Sequence, residues 1–542
     1  MKHVKRYFLL LAVICMAGVI LTRAEVRHLA GQATGSLKSY YVKARANAVN
    51  EKGFSLLYDG ESIDTSNMRM SEEMHLLMSI ADVVKYFGAS VTIGSGSDCY
   101  IQGEYIEDGI VLSEQRTSET IFVDMNHAAS ALGLSCEWKN SEWKVVLNTL
   151  NKQELPARYD LRDYRTLTPV DNQGDYGTCW AFASTAALES SLSDESSWDF
   201  SVDHMTMNSG FNISPTQGGD YNMAIAYLSA WRGPVSEKYD PYGDGVTDAS
   251  LKAEKHLQEA QFFNEKDLDY IKRMIMNYGG VESPIYMSIE HAWDASQDYQ
   301  PLNSAYYYSG DMEANHDVVI IGWDDHFSRE NFKHMPENDG AFICRNSWGT
   351  AFGNQGYFYV SYEDAVLGKT GVAYTGIENP DNYSTIYQTD MLGWVGTLGY
   401  HAPTAWFANV YTAQSSESLK AVSFYAVDGC TSYDIYVVPE YAGIEDLKEP
   451  VYAGSGYWEQ GGYYTVDLPE MVHLKEGQKF AVMVCITTEN SELPIAIEYK
   501  ASDLTSGVDL SDGEGYVSYN GQQWTSTEDA YACNVCLKAF TD

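Results

Sequence analysis

Ten residues constrain this chain more than any other stretch: Gln173-Gly174-Asp175-Tyr176-Gly177-Thr178-Cys179-Trp180-Ala181-Phe182. They place a cysteine where a polar, glycine-rich loop gives way to a helix-like segment. Ala181, Leu188 and Leu192 fall on one face of that segment, with Phe182 and Ala186 flanking it. Thr178 is suited to cap the helix, which predicts Cys179 in its first turn, among unpaired backbone N–H groups that favour an anion. A thiol there is expected to ionise more readily than a free one, and the thiolate is the nucleophilic form. Gln173 carries a side-chain N–H₂ able to hold an oxyanion formed by attack at that sulfur. A buried structural cysteine is the competing reading, and the local stretch alone does not separate the two.

Two later segments do. Asn315-His316-Asp317 opens the apolar run Val318-Val319-Ile320-Ile321, which reads as a buried strand ending at Gly322. A histidine at the mouth of such a strand can act as a fixed base. Ala341-Phe342-Ile343-Cys344 reads as the next strand and leads into Arg345-Asn346-Ser347-Trp348-Gly349. An asparagine side chain there can accept the second imidazole N–H and hold the ring's orientation.

The stretches Leu155–Arg162, Thr168–Gly174 and Cys179–Phe182 together resemble the mature start of papain-like cysteine proteases. Asn315-His316 and Asn346-Ser347-Trp348-Gly349 match that family's histidine and asparagine motifs in the same order, and the resemblance covers roughly 152–378. It implies a two-lobed α+β catalytic domain with Cys179 as nucleophile, His316 as general base and acid, Asn346 as orienter and Gln173 as oxyanion donor. It also implies that Trp348 shields the Asn–His hydrogen bond from water, and that the Gly218-Gly219 backbone holds an extended peptide. The helical lobe is expected from Cys179 to about Tyr242, including Tyr221 to Trp231. The β-rich lobe is expected to contain Gly356 to Tyr362 as a half-buried strand.

Three departures from the family pattern stand out. Tyr176 replaces the disulfide-forming cysteine usual three residues before the nucleophile, so the loop must be held without that bridge. Asp317 puts a charge where the family commonly has a small residue bordering the pocket for the substrate's second residue, and is expected to favour a polar or basic side chain there. The interval from Asp324 to Asp339 is a polar insertion whose carboxylates suggest either calcium or, more simply, a solvated loop.

The flanks follow a different logic. Lys2, Lys5 and Arg6 precede an apolar run from Tyr7 to Leu21, short for a membrane span, so residues 1–24 read as a signal peptide or N-terminal anchor. Residues 25–52 read as a linker. In 53–150, a shift of 45 residues lays Leu76, Met78, Val83 and Phe87 over Ile121, Val123, Ala128 and Leu132. Each unit reads as strand, helix closed by a glycine, then a strand pair. This small α+β repeat domain resembles the copper amine oxidase N-terminal-like domain of exported bacterial proteins. No copper is implied, because His75 and His127 lack clustered ligand partners.

Beyond 380, aromatic-rich strand patterns separated by Gly, Asp and Ser turns predict an all-β sandwich over 381–542. The pattern resembles the lectin-like domain that follows papain-like peptidases in some bacteria. Nine cysteines are an odd count in which Cys179 is expected to be free, with Cys430–Cys485 a candidate bridge and Cys533 and Cys536 either a local bridge or two half-buried thiols. A formal charge of −40 without a basic stripe argues against nucleic acid as a partner.

The chain is therefore expected to be a multidomain, secreted or cell-surface cysteine endopeptidase that needs no metal or cofactor. Its partners are expected to be a protein or peptide substrate, with cell-wall or glycan contact through the flanking domains. The alternatives are a Cys–His amidase acting on cell-wall peptides and an inert surface protein that binds glycan or wall.

Overall fold

The computed structural model describes residues 155–542 apart from 193–197, 290–293 and 295, together with segments of 49–149. The expected export segment and most of the linker lie outside the described residues. The chain divides into two compact units, 1–154 and 155–542.

In the first unit, the strands Leu76–Ser79 and Ile121–Asp124 pair antiparallel, with Met78 opposite Val123. Each leads directly into a helix, Ile80–Phe87 and Met125–Ala128 respectively. An antiparallel strand pair follows each helix, Val91–Ile93 with Cys99–Ile101 and Leu134–Lys139 with Lys144–Thr149. Leu56, Met78, Val83, Val123, Met125 and Leu147 close a single small core. His75 Nδ1 sits 2.9 Å from Asp124 Oδ2.

The second unit is built around the helix Cys179–Ser191. One apolar stripe was predicted for it, yet every residue from Cys179 to Ser190 is buried. Helices Val202–Asn208 and Tyr221–Ser229 pack against it, as do strands Val281–Ile285, His316–Asp324 and Gly371–Glu378. Small residues allow this enclosure, and the polar ones bond locally: Thr185 Oγ1 donates to the Ala181 carbonyl at 2.9 Å and Ser190 Oγ to Ala187 at 2.7 Å.

The histidine strand runs through Gly322 to Asp324 rather than ending at the glycine. Gly322 is there because the chain before Cys179 crosses it: a Cβ would stand 2.3 Å from the Tyr159 carbonyl oxygen. Inward from near one edge of the sheet the order is 357–361, 341–345, 316–324, 281–285, 371–378 and 256–263. The histidine and asparagine strands are thus neighbours, Val319 opposite Arg345.

The sheet does not stop at residue 380. Strand His256–Phe263 pairs with Gly462–Leu474, Ala260 opposite Tyr463, and the ladder continues through 417–426 and 537–541. Gly462 permits the junction, since a Cβ there would meet the Ala260 carbonyl at 2.4 Å. A second sheet, in the order 451–458, 431–438, 479–488, 404–412, 515–518 and 525–526, covers the far part of the first. Phe407, Ile435, Val437 and Val484 share one core with Val422, Phe424 and Leu537, giving the expected sandwich. The candidate bridges do not form: Cys430, Cys485, Cys533 and Cys536 are all free thiols, as are Cys136, Cys179 and Cys344.

Candidate active site

The loop before the helix turns at Gly174, whose φ of +62° favours glycine. At Gly177 a Cβ would come within 2.8 Å of the Gln217 carbonyl, so that position needs glycine for space. Cys179 is the first helical residue, as expected, but Thr178 does not cap. Its hydroxyl bonds the Tyr242 hydroxyl at 2.8 Å instead.

The thiol also departs from expectation. Its hydrogen bond is to Asp317 Oδ2, 3.9 Å away. Burial first, and the Asp317 carboxylate second, push the Cys179 thiol up to about 12. The backbone N–H groups of Asp317 and Trp180 act the other way and are outweighed. The helix terminus therefore does not leave an ionised sulfur at rest.

His316 and Asn346 meet as the sequence predicted. His316 Nε2 lies 2.7 Å from Asn346 Oδ1, which also accepts the Ser347 N–H at 2.7 Å. An oxygen accepting from both neighbours makes Nε2 the protonated nitrogen and leaves Nδ1 as the basic one. Burial lowers His316 to about 4, opposed by the Asn346 bond. The Trp348 ring lies 4.9 Å from the imidazole and backs onto Phe352.

Gln173 is locked at both ends of its side chain. Its Nε2 donates to the Tyr176 carbonyl at 2.8 Å, and its Oε1 accepts from Ser347 Oγ at 2.6 Å. The Tyr176 carbonyl, which can only accept, fixes which amide atom is nitrogen, and the second hydrogen on Nε2 remains for a developing oxyanion. The isolated bridge between Asn172 and Trp348 joins the same two loops. Gly219 lies against the Trp180 indole, where a Cβ would stand 2.7 Å away, while Gly218 faces open space.

Sequence reasoning missed the carboxyl groups around Asp317. Glu282 is fully buried and accepts from Ser184 Oγ at 2.7 Å, but its Oε1 has no partner. Burial and the nearby Asp317 hold it well above the usual carboxylate range, while burial and then Asp220, opposed by the Cys179 bond, raise Asp317 to about 7. Among the described residues no lysine or arginine forms an ion pair with Asp220, Glu282 or Asp317. A glutamate inside Val281-Glu282-Ser283-Pro284-Ile285 was the available signal, an acid in an otherwise buried strand.

The model of the papain family cysteine proteases matches residues 155–378, the segment that carries this arrangement. Residues 155–378 are a papain-family cysteine protease domain. The lectin-like domain model matches residues 386–541, the sandwich. The papain-family domain is similar to cysteine proteinase 15A of Pisum sativum, 31% identical over 40% of this chain. It is also similar to cathepsin K of Mus musculus, 32% identical over 38%. The chain spans 59% of the length of each of these proteins.

Both domains together resemble the clostridial cysteine protease Cwp84 after propeptide cleavage, with TM-score 0.64 and 27% identity over 71% of this chain and 99% of that one. They also resemble the cysteine protease and lectin-like domains of Cwp84, a surface layer associated protein of Clostridium difficile. There the TM-score is 0.62 and the identity 26%, over 72% of this chain and 89% of that one.

Proposed function

We propose that the chain is an exported cysteine endopeptidase working through Cys179, His316 and Asn346. The observation that carries this reading is the His316 Nε2–Asn346 Oδ1 contact at 2.7 Å, which leaves Nδ1 to take the thiol proton. Burial favours the neutral form of both the thiol and the imidazole, so the proton must pass from the thiol to Nδ1 as the nucleophile forms. The thiolate then attacks the peptide carbonyl carbon, and Gln173 Nε2 with the Cys179 backbone N–H holds the oxyanion. The C–N bond breaks as the imidazolium gives its proton to the leaving amine. Water, deprotonated by His316, hydrolyses the thioester and regenerates the thiol. Trp348 keeps water from the Asn346–His316 bond.

In this reading Gly218 and Gly219 hold the peptide backbone. Asp317, with Asp220 and Glu282, takes a basic side chain at the second substrate residue. Asp317 and Glu282 are buried carboxyl groups without a cation of their own, and such groups need either protons or a visiting charge, while Asp220 stands exposed and accepts the Asn222 and Met223 N–H groups.

The remaining boundaries belong to the same proposal: a signal or anchor at 1–24, a linker at 25–52, a repeat domain at 53–150, the peptidase at 151–380 and a glycan- or wall-contacting sandwich at 381–542. The likeness to Cwp84, described as surface layer associated, supports an extracellular location. A fluorogenic peptide assayed with reductant present tests the central claim. Cys179→Ala is expected to abolish hydrolysis with the circular dichroism unchanged, and activity surviving that change refutes the assignment.

A further inference from the structure

The loop holding the oxyanion donor and the nucleophile lacks a cysteine at Tyr176, so no disulfide at that position ties it down. Tyr242 bonds to this loop at two points. Its hydroxyl donates to the Gln173 carbonyl at 2.9 Å. Having spent its one proton there, it accepts from Thr178 Oγ1 at 2.8 Å. One oxygen thus joins the residue bearing the oxyanion donor to the residue immediately before the nucleophile. The ring fills the gap beneath, edge-on to Phe182 at 4.7 Å and to Tyr176 at 6.3 Å.

Tyr242 is itself anchored to the helical lobe. Its N–H donates to Glu237 Oε1 at 2.7 Å, and the next N–H, of Gly243, donates to Asp203 Oδ2 at 2.7 Å. Thr178 gives up its capping bond to make this contact. A threonine at this position ordinarily folds its hydroxyl back onto N–H groups of the first turn. Turned toward Tyr242, it leaves that first turn free of a side-chain acceptor, which keeps its N–H groups available to charge developing on substrate.

We propose that Tyr242 is a positioning residue for the proposed hydrolysis, a non-covalent clasp that sets the distance between Gln173 and Cys179 and holds Thr178 off the helix terminus. Burial lifts the phenol to about 12, so the donating proton stays in place throughout the neutral range. The clasp therefore adds no titration of its own to the pH profile of the reaction.

The inference rests on the peptidase reading, and the full chain with a fluorogenic peptide under reductant tests it. Tyr242→Phe keeps the ring and removes both bonds. It is expected to lower kcat about tenfold with KM and thermal midpoint close to wild type, because alignment in the transition state is lost rather than binding. Thr178→Val is expected to lower kcat by a smaller factor, and Thr178→Ser to restore it. The double variant Tyr242→Phe, Thr178→Val is expected to be no worse than Tyr242→Phe alone, since both act through one oxygen. An unchanged kcat in Tyr242→Phe, losses that multiply in the double variant, or a fall in kcat that only tracks a lowered thermal midpoint overturns the clasp. A wild-type chain that hydrolyses no peptide overturns the peptidase reading itself, and the wild-type control distinguishes the two failures.

Discussion

Cys179 Sγ rests 3.9 Å from Asp317 Oδ2, so the proposed nucleophile faces a carboxyl group carried by the residue next to the proposed base. Burial first, and this contact second, keep a thiol at a helix N-terminus from being acidic. An ionised Asp317 both accepts the thiol proton and opposes a second negative charge beside it.

Replacing that carboxylate should release the thiol. Asp317→Asn is expected to raise the rate of Cys179 alkylation by iodoacetamide about tenfold at pH 8, equivalent to one unit of thiol acidity. Asp317 titrates near 7, so the gap between variant and wild type should be widest above that pH and close as the carboxyl protonates below it. Equal rates at pH 8 would show that burial alone sets the thiol.

The same carboxyl groups bear on substrate choice. Peptides with lysine or arginine at the second residue are expected to exceed their leucine counterparts in kcat/KM by about tenfold or more, the scale of one charge-assisted bond. Asp317→Ala and Glu282→Gln should shrink that ratio while hydrolysis of the leucine peptide persists. A peptide-library scan left unchanged by Asp317→Ala removes the assignment.

Glu189 makes a prediction about stability. It is buried at the end of the nucleophile helix, accepts the Phe200 N–H at 2.8 Å and the Thr168 hydroxyl at 2.7 Å, and is raised to about 7 chiefly by burial. The unfolded chain releases this proton near 4.5 and the folded one near 7, so folding loses stability as pH climbs between those values and nothing further above them. Glu189→Gln removes the titration. Its stability relative to wild type should rise by up to about 3 kcal/mol between pH 4.5 and 7.5, measured by denaturant unfolding at each pH. A difference independent of pH would count against the burial argument.

The continuous sheet predicts that the two matched domains are not separable. A chain of residues 155–378 would expose the edge of strand 256–263 that pairs with 462–464, together with core positions shared with Tyr425, Tyr463 and Cys536. Exposed edges of that kind template aggregation. The isolated segment should elute as oligomers or melt earlier than 155–542. A monodisperse 155–378 with the longer chain's thermal midpoint would show the junction to be dispensable.

Much of the site was legible because its parts are local. Gln173, Cys179, His316 and Asn346 each sit in a short stretch whose loop, helix or strand character follows from its own residues, and their order along the chain matches one family. The apolar run after His316 was enough to place a buried strand, and the alternation of Tyr357 to Ser361 enough to place a half-buried one. Local patterning likewise marked the sandwich strands after residue 380.

What the sequence could not decide was which groups meet across the fold. Thr178 has the composition of a cap, but Tyr242 competes for its hydroxyl from another loop. The helix N-terminus favours a thiolate, but burial and Asp317 reverse the balance. Glu282 looked like one acid among many until the sheet set it beneath Asp317. Propensity and periodicity act over a few residues, so they determined the elements and nominated the candidate groups. The charge states of those groups depend on desolvation and on neighbours from 30 to 138 residues away, and only the packed tertiary structure supplies either.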